Sequence, residues 1–173
     1  MKIIINDANI LIDLVHLGLM NEFIQLNLEL KTTDFVFEEL NDDQKIIIQG
    51  YVNSSDIEVI ATEEEEDFQS ITTILENSSG LSFEDCSVWH YANKLNGILL
   101  SGDGKLRRQA IANGISVRGI LYVFDQLLVN SLISFDYAIE KLEQLYELNP
   151  RLPINSKNER ITNWSLQKHI EEQ

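Results

Sequence analysis

Residues 2–14 read KIIINDANILIDL. A β-branched run, Lys2–Ile5, stops at Asn6-Asp7, and apolar residues return at Ile10, Leu11 and Leu14 with helical spacing. A continuous apolar run is what a strand buried on both faces of a parallel sheet requires. The carboxylate at the junction has two readings. Asp7 either caps the helix that opens near Asn9, or it stands beyond the carboxyl end of a strand, where open α/β sheets bind their ligands.

The strand–turn–helix unit recurs along the chain. Further strands are expected at about 29–33, 57–61, 98–101 and 115–118. Helical patterns cover Asn21–Asn27, residues 34–52 with a break near Asn41, and the stretch after Thr62. There, Thr62 and Glu65 have capping-box spacing, and Glu63–Glu66 sit at the positive end of the helix dipole. That acidic run reads as a solvated first turn. Helices are also expected at 82–96 (closed by Gly97), 104–113 (closed by Gly114), 120–131 and 134–147. After Pro150 the chain is polar, and only NWSLQKHIEEQ, residues 163–173, predicts a last short helix. Strands alternating with helices predict an α/β fold with a parallel sheet and helices on both faces. Residues 1–150 are read as one domain and 151–173 as its C-terminal extension.

The 173 residues suffice for a core without staples, and 44% hydrophobic with 24% charged residues is ordinary globular composition. The apolar stretches are too short to cross a bilayer, and Met1-Lys2 leads into a strand and not a signal segment. A single cysteine, Cys86, excludes an internal disulfide and suits a reducing cytoplasm. The net charge of −15 argues against broad, unaided binding to a phosphate backbone. The charge is uneven, however. Residues 1–103 hold 20 acids and 4 bases, whereas 104–173 hold 8 acids and 9 bases, among them Lys105, Arg107, Arg108, Arg118, Arg151, Lys157 and Arg160.

Four acids from separated segments fall where the strand ends would bring them together: Asp7 after strand one, Glu39 (with Glu38 as rival) after strand two, Asp85 opening the helix before strand four, and Asp103 after strand four. Each has a structural alternative. Asp7 and Asp103 are placed to cap helices, Asp85 lies three residues after Ser82 as in a capping box, and Glu39 suits an exposed helix face. Capping alone does not call for acids after both strands. Clustered carboxylates repel one another and suit hard divalent ions, Mg²⁺ or Mn²⁺, which retain waters for a phosphate to displace. Metal-assisted phosphodiester hydrolysis is the chemistry such a cluster supports. His16 and His169 lack partners at ligand spacing, the triplet Trp89-His90-Tyr91 must be partly core, and there is no phosphate-loop or nucleophile-elbow motif.

In their order, IIINDANILIDL, TTDFVFEEL, LSFEDCSVWHYANKLNGILLSGDGKLRRQA and ISVRGILYVFDQL resemble the successive blocks of PIN domains, particularly the bacterial VapC-type toxins, over residues 1–150. The resemblance implies a three-layer fold around a five-stranded parallel sheet of order 3-2-1-4-5. It further implies a metal-dependent ribonuclease site with Asp7, Glu39, Asp85 and Asp103 as the acids. Asp7, Asp85 and Asp103 would be the metal ligands, with Asn9 and Ser101 as small polar supports. Many relatives carry two acids in the SGD segment, where this chain has Gly102, which bears on a second metal. Lys105, Arg107 and Arg108 would meet phosphates beside the site. The partners expected are RNA, an antitoxin protein and a second copy of the chain, with no membrane. Two other readings stand beside the nuclease: a catalytically weak or inactive PIN-like binding module, and a phosphatase-type enzyme with Asp7 as nucleophile. The latter fits poorly because DAN lacks a second acid two residues on.

Overall fold

The computed structural model describes residues 1–150 and 152–171, except for the side chains of 169–171. Arg151 and the His169 side chain therefore lie outside the described residues. Residues 1–123 and 124–173 form two compact units.

The first unit is built on one five-stranded sheet: β1 (Lys2–Asn6), β2 (Leu28–Thr33), β3 (Ile57–Ile60), β4 (Ile98–Leu100) and β5 (Val117–Arg118). All pairs are parallel, as the strand–helix alternation predicts, and the order is β3-β2-β1-β4-β5, as the family resemblance implies. β1 is central, with Ile4 opposite both Leu30 and Ile98. Ile4, Ile5, Leu99 and Leu100 are fully buried, as a strand covered on both faces requires. The chain winds outward from β1 to β3, then returns through the helices before β4 and continues to β5 on the other side. Right-handed crossovers in opposite directions put helices on opposite faces. The strand order reverses between β1 and β4, so the carboxyl ends of these two strands are where such sheets bind their ligands.

The helices of this unit follow the apolar spacing. They are α1 (Ala8–Leu17), α2 (Met20–Ile24), α3 (Asp34–Glu39), α4 (Asp42–Asn53), α5 (Glu65–Asn77), α6 (Phe83–Lys94) and α7 (Gly104–Ala112), and α8 (Ile120–Val129) begins here. The break expected near Asn41 is real: Asn41 caps α4 in a reciprocal box with Gln44. The box expected between Thr62 and Glu65 is not formed. Thr62 instead donates its backbone N–H and its hydroxyl to Asp34, and α5 starts after Glu64 without a side-chain cap. A carboxylate on a neighbouring helix outcompetes the local partner.

Asp67 ties α5 to α6. It is buried, accepts both Lys94 Nζ contacts (2.6 and 2.8 Å) and the Tyr91 hydroxyl (3.2 Å), and meets His90 Nε2 at 2.7 Å. Burial works against its charge, but Lys94 and His90 outweigh burial and hold its carboxyl below the usual range. A depressed folded-state pKa gives stability that is present above the unfolded value of about 3.9 and is lost as pH falls through the folded value. Asp67→Asn should therefore lower the melting temperature at pH 7, and its gap to wild type should close on acidification below about pH 4. Thermal unfolding between pH 7 and 3 measures this. A gap that stays constant would assign Asp67 a role independent of its charge.

The second unit contains the end of α8, then α9 (Phe135–Leu148) and α10 (Ile154–Glu171). α10 starts nine residues earlier than the short helix read from the sequence at 163. Its apolar stripe is thin, and buried Trp164 stacks on Phe124 with ring centroids 6.1 Å apart. Arg160 makes a two-pronged pair with Asp125 at 3.1 and 2.8 Å. Tertiary packing sustains a helix whose composition is otherwise polar. Among the described residues no helix is long and apolar enough to cross a membrane.

Candidate functional site

Asp7 follows β1 in extended conformation and caps α1, its Oδ1 accepting the Ala8 N–H at 2.8 Å. Its Oδ2 accepts from the Ser101 hydroxyl at 2.6 Å and from Asn9 Nδ2 at 2.5 Å. Its backbone N–H donates to Leu100 O at 2.9 Å, which ties the end of β1 to the end of β4. Ser101 is fully buried, and its Oγ also accepts the Asp103 N–H at 3.0 Å. One serine thus links two of the acids. Asp103 caps α7, its Oδ1 accepting the N–H groups of Lys105 and Leu106 at 2.8 Å each. Asp85 completes a capping box with Ser82 at the start of α6. Every capping role expected for these three acids is real. Capping engages one oxygen of Asp103 and one of Asp85.

The electrostatics show that capping is not the whole account. Asp7 is almost wholly buried, and burial, with a contribution from the charge of Asp85, pushes its carboxyl up to about 6 against its hydrogen bonds. Glu39, at the end of α3, is exposed by surface area. Even so, partial burial and the charges of Glu84, Asp7 and Asp85 push it up to about 7. Asp85 is raised by burial, then by Asp103 and Glu84. Asp7 and Asp85 thus act on Glu39, Asp85 acts on Asp7, and Asp103 acts on Asp85. Among the described residues none of them is ion-paired with a Lys, Arg or His. A set of mutually repelling oxygen donors without a cation is chemically suited to a hard divalent ion. Among the described residues no three or more Asp, Glu, His or Cys side chains form a cage that could hold a metal ion. Mg²⁺ keeps several waters when bound, so carboxylates that hold it partly through water need not form such a cage.

Glu38 and Glu39 separate clearly. Glu38 turns outward and pairs with Lys45 Nζ at 2.5 Å, whereas Glu39 lies in the field of Asp7 and Asp85. Asn9 bridges Asp7 and the SGD segment, its Oδ1 accepting the Gly102 N–H at 2.6 Å. A Cβ on residue 102 would lie 3.0 Å from that oxygen. The space left by Gly102 is thus taken by Asn9, and a larger residue there would have to displace it. Lys105 and Arg108 are exposed on α7 and Arg107 is half-buried. Cys86 is buried and burial pushes its thiol up to about 11, as suits a packing residue. The acid that sequence reasoning passed over is Glu84. Its only signal was adjacency to Asp85.

A family model described as DUF3368, PIN domain, matches residues 3–165. Comparison with the curated proteins returns no match. Among solved structures, the chain is similar to VapBC-1 from nontypeable Haemophilus influenzae, with 18% identity over 69% of this chain and 99% of that one, at a TM-score of 0.50. A PilT N-terminus domain protein from Sulfolobus solfataricus gives 12% identity, 73% and 94% coverage and a TM-score of 0.47. VapBC2 from Rickettsia felis, bound to a promoter DNA fragment, gives 13%, 68% and 98%, and 0.49. At these identities the likeness concerns the fold. The family match covers nearly the whole sequence and agrees with the strand order: the chain belongs to the PIN domain family.

Proposed function

We propose that this protein is a metal-dependent ribonuclease that hydrolyses RNA phosphodiester bonds, acting as the toxin of a toxin–antitoxin pair. The observation that carries the reading is that Asp7, Glu39 and Asp85, from separate segments, are each raised by burial and then by a neighbouring carboxylate, Asp103 being one that acts on Asp85, with none of the four ion-paired among the described residues. Membership of the PIN family and similarity to VapBC-1 support it.

A bound Mg²⁺ or Mn²⁺ would lower the pKa of a coordinated water and stabilise charge on the scissile phosphate. Asp7, Asp85 and Asp103 would hold the ion. Glu39 is a further ligand or the base that takes the proton of the attacking water. Ser101 and Asn9 orient Asp7 by donating to its Oδ2, and Ser101 sets the start of the Asp103 loop. With Asn9 in the space beside Gly102, the site is read as holding one ion. Lys105, Arg107 and Arg108 would meet the flanking phosphates. An antitoxin protein is the partner this reading brings with it.

The test is cleavage of single-stranded RNA by chelator-treated protein to which Mg²⁺ or Mn²⁺ is restored. Cleavage that appears only with the ion is expected. No cleavage with either ion would favour the second reading, a PIN-like binding module. The net charge of −15 and the lack of a closed ligand cluster among the described residues speak for that alternative. A finer probe is Ser101→Ala, which removes one hydrogen bond to Asp7 and one from Asp103 N–H. Loss of such an orienting contact costs roughly 10–100-fold in metal affinity. The ion concentration giving half-maximal cleavage should rise by about that factor, with the rate at saturating ion much less affected. An unchanged ion titration would reduce Ser101 to a loop fastener.

A further inference from the structure

Arg107 and Arg118 are cations that no acid holds. In a chain with 28 acids and 13 Lys and Arg, neither lies within ion-pair distance of a carboxylate among the described residues. Both are instead tied to backbone carbonyls at the edge of β4 and β5. Arg107 Nη1 donates to Ser101 O at 2.9 Å, and Arg118 Nη1 donates to Val117 O at 3.0 Å. The Arg118 carbonyl in turn accepts the Ser101 N–H at 3.0 Å. The two side chains are therefore rooted on neighbouring backbone, beside the serine that bonds Asp7.

Gly119 leaves the Arg107 guanidinium room beside it. A Cβ there would lie 3.1 Å from Arg107 Nη1, so the guanidinium occupies space that any other residue would partly fill. The two cations also sense each other: burial, then the charge of Arg118, lowers the Arg107 pKa. Like charges held together by neutral carbonyls repel, and an anion between them relieves the repulsion. Guanidinium groups present several N–H donors in a fixed fork that matches phosphate. Arg118 is exposed, so the pair is open to solvent on one side.

We propose that Arg107 and Arg118 form a clamp for an RNA backbone phosphate next to the acidic site, with Gly119 leaving the room Arg107 needs. The proposal rests on the ribonuclease reading for its ligand. The acids repel phosphate unless a divalent ion intervenes, so a strand lying across the carboxyl edge needs fixed cations close by. This pair supplies them.

The test uses the full chain and a short, uncleavable 2′-O-methyl RNA strand of mixed sequence, with affinity measured across a salt series. Arg107→Gln and Arg118→Gln should each weaken binding roughly tenfold and flatten the slope of log K against log salt by about 0.7, the single-strand value for one phosphate contact. Arg118→Lys should restore the slope but only part of the affinity, because a point charge replaces a fork. Gly119→Ala should weaken binding in the same direction as Arg107→Gln. Lys2→Gln, at the opposite end of β1, should change nothing, and melting temperatures should show that all variants are folded. Wild-type affinity and slope in both arginine variants would overturn the clamp, as would an equal loss in Lys2→Gln or no binding by wild type. Inorganic phosphate that binds the pair while the RNA strand does not would also overturn it. Cleavage of unmodified RNA, run in parallel, separates the two proposals. A protein that binds through the arginines but cleaves with neither ion keeps the clamp and loses the nuclease. One that cleaves with unchanged KM in both arginine variants keeps the nuclease and loses the clamp.

Discussion

Asp7→Asn and Asp103→Asn should each lower ion-dependent cleavage of single-stranded RNA by about 10³-fold or more while leaving the protein folded, a barrier increase of roughly 4 kcal/mol. The substitutions separate the two roles these side chains combine. Asparagine caps helices about as well as aspartate, so the bonds from Ala8 N–H to residue 7, and from Lys105 and Leu106 N–H to residue 103, keep an acceptor. What is removed is the charge that a divalent ion needs. Asp7 also lies at the centre of the site: Ser101, Asn9 and the end of β4 all converge on it. The measurement is the single-turnover rate with Mg²⁺ and with Mn²⁺, alongside thermal unfolding. Wild-type rates in both variants would leave Asp7 and Asp103 as caps only. Asp103, half-buried where Asp7 is almost wholly buried, is the variant less apt to unfold, so a loss of rate there with the fold intact assigns the charge its role.

The fold was legible because its signal is local. Lys2–Ile5 is a continuous β-branched run followed by helical spacing, and that unit recurs often enough to specify a parallel α/β sheet. The order of the strands came from family resemblance, since no local pattern sets which strands become neighbours. The acids were legible as positions expected to converge and repel one another, but which of Glu38 and Glu39 belongs with them was not. That Glu39 and not Glu38 faces Asp7 depends on how α3 is rotated, and Lys45 on the next helix holds Glu38 away. Gly102 read from the sequence as a missing acid, whereas in the structure Asn9 stands against it. The failures were tertiary too. Asp34 takes Thr62 from its expected box across 28 residues, and α10 extends through a polar stretch because Trp164 and Arg160 find partners in α8. Side-chain competition over such distances leaves no trace in a local window.

Divalent ion should raise the melting temperature of wild type, and this rise should be absent in Asp7→Asn. An ion that binds only the folded state stabilises it by RT ln(1 + [L]/Kd), roughly 2.7 kcal/mol at a hundredfold excess over Kd. For a chain of this size that corresponds to roughly 5–10 °C. The ion-free proteins should differ little. The variant loses the acceptor for Asn9 Nδ2 and the Ser101 hydroxyl but is relieved of the repulsion that Asp85 and Glu39 exert on a buried charge. The comparison needs a control, because a protein with a net charge of −15 attracts divalent ions everywhere. Glu65→Gln supplies it. Glu65 is an exposed acid in the first turn of α5, within the run that resembles a metal site by composition alone. If the ion acts at the carboxyl edge, Glu65→Gln keeps the full rise and Asp7→Asn does not. Equal rises in both variants would mean that Mg²⁺ and Mn²⁺ merely screen the surface, and the acids at the ends of β1 and β4 would then be helix caps only.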